Sequence, residues 1–147
     1  MRIVIIILLS TISFLMSERG DLLSYQLEDS MSVNEIENYL ENQFGDFELS
    51  TEYSAIMYAV QYETIDQFGE YTIASGMIAF PDNPNQAYPL VSFQHGTQIR
   101  RASAPSMNGL NVLSQAMVTA GYIYMEPDYL GLGVSEIAYQ NSLTYAK

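Results

Sequence analysis

The sequence contains no cysteine among its 147 residues. That excludes disulfides, thiolate metal sites and a lipid anchored on cysteine, and leaves the redox compartment open. A single histidine, His95, denies a structural zinc site its ligand set. Positive charge is scarce as well. Five Lys and Arg face seventeen Asp and Glu, for a net charge of −12. Thirteen of the acids lie between Glu18 and Glu70, opposed there only by Arg19. A surface of that sign repels phosphate backbones, so nucleic acid is disfavoured as a partner. No D-x-D-x-D-G loop arranges the acids for calcium, and they read as a solvated face that keeps the chain soluble.

What is present is apolar in nearly half its residues, 48%, enough for one packed domain. The first seventeen residues stand apart. Arg2 precedes an unbroken apolar run, Ile3 to Leu9, which Ile12, Phe14, Leu15 and Met16 extend. The run is shorter than the ~20 residues of a membrane span. Residues 1–17 therefore read as a secretory signal peptide, with Ser17 at the cleavage site although Leu15 departs from the small-residue rule. The competing readings are a retained anchor and a buried strand. A signal peptide implies a secreted or extracytoplasmic protein with no stable membrane span after cleavage.

Ser32-Val33-Asn34-Glu35 is a capping box. It predicts an amphipathic helix whose face is Val33, Ile36, Tyr39, Leu40 and Phe44, ended by Gly45. Tyr53 to Ile65 and Tyr71 to Phe80 are rich in β-branched and aromatic residues and flank a turn at Asp66-Gln67-Phe68-Gly69-Glu70. They predict a β-hairpin at the edge of a sheet. Pro89 to Phe93 predicts a strand buried on both faces. A polar loop, His95 to Ser106, follows. Leu110, Leu113 and Met117, with Val112, Ala116 and Ala120, predict a helix that Gly121 terminates, and Tyr122 to Met125 a second strand. Strand, helix, strand at this spacing is a crossover between parallel strands. The fold class is therefore α/β. In such sheets ligands sit at the carboxyl ends of the strands, which places the loops after Phe93 and Met125 at the site.

Phe93-Gln94-His95-Gly96-Thr97 leaves its strand through a glycine, whose backbone turns sharply and leaves amides free to face a developing negative charge. The later segment Gly121-Tyr122-Ile123-Tyr124-Met125-Glu126-Pro127-Asp128-Tyr129-Leu130-Gly131-Leu132-Gly133-Val134-Ser135 resembles a segment of α/β-hydrolases of the secreted lipase and carboxylesterase kind. In that family it follows an HGT loop by one helix, as here. Ala74-Ser75-Gly76 with Pro81, and Ala104-Pro105-Ser106, fit the same pattern. The resemblance runs from about Asp21 onward and is specific from Pro89 to Ser135.

The resemblance implies an α/β-hydrolase-type sheet of which this chain holds only the N-terminal portion, residues 18–147 forming an incomplete domain. Gly96 and Thr97 would supply the first half of an oxyanion hole, Thr97 being the donor. His95 would be structural, bonding within its loop. Asp128, Gly131 and Gly133 would shape a turn, and Arg100 and Arg101 would lie near the substrate entrance, against a plain reading as two solvated loop cations. The substrate would be a small-molecule or lipid ester, with no metal and no cofactor. The family's serine sits on a G-x-S-x-G elbow, followed by an acid and then a histidine. No two glycines here lie four positions apart, and no histidine follows His95. The nucleophile is thus missing, and the chain alone is expected to be inactive. A non-catalytic secreted binding module, a degraded-gene product, and a peptidase of the same fold are the alternatives. His95, Asp128 and Ser135 occur in chymotrypsin-like order and form a further, minor candidate triad.

Overall fold

A computed structural model describes residues 19–45 and 50–136. The expected signal peptide, 1–17, lies outside the described residues. Among them, no helix is long and apolar enough to cross a membrane.

Five strands form one mixed sheet: β1 (Leu22–Met31), β2 (Ala55–Ile65), β3 (Tyr71–Pro81), β4 (Leu90–Ser92) and β5 (Ile123–Pro127), in the order β1-β2-β3-β5-β4. Two helices, α1 (Val33–Phe44) and α2 (Val112–Thr119), complete it with two short 3-10 turns, Arg101–Ser103 and Pro105–Met107. β1, β2, β3 and β5 run antiparallel in succession, and β4 and β5 are parallel. The α/β class, the antiparallel hairpin and the parallel strand-helix-strand unit agree with expectation.

The hairpin is not at the edge. β1 pairs along β2 from Leu22↔Tyr62 to Met31↔Ala55 and takes the outer position. It was invisible as a strand because it lacks a clean alternation. Two register irregularities, at Leu22/Ser24 and Leu27/Asp29, break the period-2 pattern on which strand recognition rests. The hairpin turn is built as its sequence suggests. Asp66 Oδ1 accepts from the amides of Phe68 and Glu70, and Gly69 takes a positive φ of 86°.

α1 starts on the predicted capping box. Ser32 Oγ accepts from the Glu35 amide while Glu35 Oε2 accepts from the Ser32 amide and hydroxyl. Ile36 and Leu40 of its apolar face enter the core, but Phe44, in the last turn, is 58% exposed. The core joins these two to Ala55 and Met57 of β2, Met77 and Ala79 of β3, Tyr124 of β5, Leu110, and Val118 of α2. The strand residues among them are mutual register partners or share one sheet face with those partners. The opposite face carries an aromatic row, with Tyr25–Tyr58 and Tyr58–Phe80 centroids 5.9 and 6.3 Å apart.

α2 corrects a second expectation. Its inward stripe is Ser114, Gln115, Val118 and Thr119, whereas Leu113 and Met117 are only partly buried. The helix start takes up Ser114 and the Gln115 amide nitrogen, while Gln115 Oε1 and Thr119 Oγ1 have no partner among the described residues. Gln115 Nε2 donates to Leu110 O, Ser114 Oγ donates to Asn111 O, and Asn111 Oδ1 caps the Ser114 amide. β4 corrects a third. It is not buried on both faces: Leu90 is 57% exposed, and among the described residues β4 pairs with β5 alone. An apolar strand with an open edge is an association template.

β3 and β5 approach through Gly76. A Cβ there would meet Glu126 O at 2.8 Å and Pro127 Cα at 3.0 Å, both backbone atoms that cannot swing aside. Gly76→Ala is therefore expected to destabilise the encoded polypeptide by about 1–3 kcal/mol in equilibrium denaturation.

Candidate functional site: the loops after β4 and β5

The two loops that the sequence singles out emerge side by side, because β4 and β5 are adjacent and parallel. The Phe93 amide donates to Met125 O at 2.8 Å and carries the pairing one residue beyond β4. The chain then turns through Gln94, His95, Gly96 and Thr97.

His95 is buried, with Nδ1 2.7 Å from Gly96 O. A carbonyl only accepts, so Nδ1 carries the proton in this contact. Nε2 is buried and has no partner among the described residues. The Gly96 carbonyl and the Thr97 N–H belong to one peptide unit, and there are no cis peptide bonds among the described residues. In a trans peptide the two point in opposite directions. Holding Gly96 O against the imidazole thus turns the Thr97 N–H away from the ring, and that amide makes no hydrogen bond among the described residues. Gly96 and Thr97 are both exposed.

Tyr129 fixes this loop from the neighbouring one. Its ring lies 4.3 Å from the His95 ring, centroid to centroid, and its hydroxyl donates to His95 O at 3.2 Å. Tyr129 adopts φ 67°, in a region that residues with a bulky side chain rarely occupy. Burial, and then the charge of Glu126, push the Tyr129 hydroxyl's pKa up, so it stays a donor.

Asp128, one residue earlier, is fully buried. Oδ2 accepts from the hydroxyls of Ser75 and Ser106 at 2.5 Å each, and Oδ1 from the Ser106 amide at 2.8 Å. Ser75 in turn accepts from the Val134 amide at 3.1 Å, and its own carbonyl accepts from the Asp128 amide. Gly133, at φ 54°, sits so close that a Cβ would come 2.1 Å from Asp128 Oδ2. Gly131 also has a positive φ, 89°. Arg101 closes the turn from outside by donating to the carbonyls of Gly133 and Ser135. Arg100 is exposed and takes no part in this network.

The structure therefore gathers the predicted residues into two neighbouring groups: His95, Gly96 and Thr97 with Tyr129, and Asp128, Gly131, Gly133 and Arg101 with Ser75 and Ser106. It does not join His95, Asp128 and Ser135 into a triad. Both Asp128 oxygens are committed to serines, His95 Nδ1 faces Gly96 O, and Ser135 Oγ is buried with no partner. Sequence reasoning gave no role to Ser75, Ser106 or Tyr129. Each lies inside a segment that carried the resemblance, which was the only signal available. Among the described residues no group of three His, Cys, Asp or Glu is placed to hold a metal ion.

No family model and no curated protein matches the chain. Solved structures do. A protein of Legionella pneumophila, provisionally called a hydrolase, is 34% identical, with a TM-score of 0.67 over 79% of this chain and 32% of its own. The rice cell wall degrading esterase LipA from Xanthomonas oryzae is 27% identical, with a TM-score of 0.67 over 82% of this chain and 32% of its own. The G231F mutant of LipA gives 0.69 at 27% identity, over 83% and 32%. The chain thus has a partial α/β-hydrolase-type fold, similar to that of hydrolases and esterases, and it spans about a third of the length of the solved structures it matches.

Asp128→Ala strands two hydroxyls and an amide in a site without water access. It is expected to cost at least about 3 kcal/mol of stability, and Asp128→Asn about 1.5–3 kcal/mol, since the amide keeps only one acceptor oxygen. Chemical denaturation of the encoded polypeptide measures both.

Proposed function

We propose that this chain is the N-terminal part of a serine ester hydrolase of the lipase and esterase type, in which the loop His95-Gly96-Thr97 supplies the first half of the oxyanion hole. The observation that carries the reading is the orientation of the Thr97 amide, set by the contact between His95 and Gly96 O. In ester cleavage a serine oxygen attacks the carbonyl carbon, and the carbonyl oxygen becomes an anion. The Thr97 N–H donates to that oxygen, together with the amide after the serine. His95 is then a positioning residue rather than a base. Tyr129 holds the His95 carbonyl, and the Asp128 cluster shapes the turn that presents Tyr129. Arg100 and Arg101 differ in use: Arg101 clasps the Gly-Leu-Gly turn, and Arg100 is the freer side chain to meet a substrate at the entrance.

A small-molecule or lipid ester is the substrate class. The solved LipA esterase structure that resembles this chain supports an ester over a peptide. The scheme uses no metal and no cofactor. The 147 residues contain no serine elbow, so the chain alone performs only the anion-stabilising part. Residues 1–17 would act as a signal peptide that exports the protein.

Two measurements test this reading. The coding sequence past Lys147 is expected to continue in frame to a G-x-S-x-G, and a genuine stop codon there overturns it. A serine-reactive fluorophosphonate is expected to leave the 147-residue chain unlabelled and to label the longer polypeptide. In that longer polypeptide Thr97→Pro removes the amide proton. The loss of one oxyanion donor is expected to lower kcat roughly 10²–10³-fold. A kcat within twofold of the parent enzyme would remove Thr97 from the mechanism.

A further inference from the structure

A cavity of about 280 Å³ opens at the start of α2, with Gln98, Ser103, Asn108, Gly109, Asn111 and Glu126 among its lining residues. Glu126 is 4% exposed, yet no Lys or Arg lines the cavity with it. Its Oε2 accepts from the Tyr124 hydroxyl at 2.8 Å and from Asn111 Nδ2 at 3.1 Å. Its Oε1 accepts from no described residue.

Two side-chain amides of the wall donate inward. Asn111 gives its amide hydrogen to Glu126, and Asn108 Nδ2 donates to Ala102 O and Ala104 O at 3.0 and 2.9 Å. What Asn108 offers the cavity is its carbonyl oxygen, an acceptor. Behind Gly109 stands a second acid: a Cβ on that glycine would come 2.4 Å from Asp29 Oδ2. The negative charge of Glu126 is expressed on its neighbours. Burial first, and then the hydrogen bond and charge of Glu126, push the pKa of the Tyr124 hydroxyl up. A buried carboxylate held only by neutral donors is costly, and an opposite charge in hydrogen-bond reach offsets that cost.

We propose that this cavity binds the ammonium group of a small organic amine, with Glu126 Oε1 as its anionic acceptor and Asn108 and Ser103 as neutral ones. A metal ion fits less well. No cluster of three ligating side chains occurs among the described residues, and the volume equals that of several waters at ~30 Å³ each. The proposal does not depend on the hydrolase reading, since Glu126 and Asn108 make none of the hydrogen bonds that set the Thr97 amide.

The test uses the polypeptide as encoded, ¹⁵N-labelled and titrated with propylammonium chloride at neutral pH, with 1-propanol as the uncharged comparison. Propylammonium is expected to shift the Asn111 side-chain amide and the Gly109 backbone amide saturably, and 1-propanol to leave both in place. Glu126→Gln keeps an acceptor for Tyr124 and Asn111 while removing the charge, and is expected to weaken binding about tenfold. Ser103→Asp, on the exposed rim, replaces a neutral acceptor with a charged one, leaves the bonds of Glu126 in place and is expected to tighten binding roughly threefold. No saturable shift, an equal response to 1-propanol, or unchanged affinity in Glu126→Gln each overturns the proposal. Should Glu126→Gln fail to fold, the propanol comparison and Ser103→Asp decide it.

Discussion

The buried carboxylate of Asp128 is the constraint from which the site's geometry follows. An ionised group without solvent is tolerable only if its lone pairs are filled, and here hydroxyls from two distant segments and one amide fill them. Ser75 belongs to β3, Ser106 to a 3-10 turn, and Asp128 to the loop after β5. One side chain thus ties the sheet, the polar loop and the Gly-Leu-Gly turn together. The turn closes over the carboxylate so tightly that only glycine fits at 133. Tyr129, the next residue, is carried into a positive φ and laid against His95.

From there the effect passes to the loop after β4. Tyr129 holds one carbonyl, His95 the next, and a trans peptide converts the second hold into a direction for the Thr97 amide. Each step is a hydrogen bond or a ring contact of ordinary length, and none places a reactive nucleophile. What the arrangement supplies is a fixed dipole at the carboxyl end of a strand, where an α/β sheet presents its ligands.

Much of this was legible in the sequence, for particular reasons. The capping box of α1, the hairpin turn at Asp66 and Gly69, and the strand-helix-strand unit depend on local chemistry over a few residues, which sequence records directly. β1 escaped because its register irregularities destroy the alternation that identifies a strand. The inward face of α2 escaped because Ser114 and the Gln115 amide nitrogen bond to the cap and to Leu110 O, partners that periodicity does not count. Phe44 fell on the predicted face of its helix but lies in the last turn, beyond the reach of the core.

The sequence by itself determined helix α1 and its cap, the β2–β3 hairpin, the strand-helix-strand unit, the glycines at 131 and 133, the α/β class, and the loops that matter. The tertiary structure alone decided which residues meet. It brought Ser75 to Asp128 across 53 positions, seated Tyr129 on His95, and kept His95, Asp128 and Ser135 from forming a triad. The reason is physical. Local propensities are written in spacings of two to four residues, whereas filling the lone pairs of a buried carboxylate is settled only by which strands lie side by side.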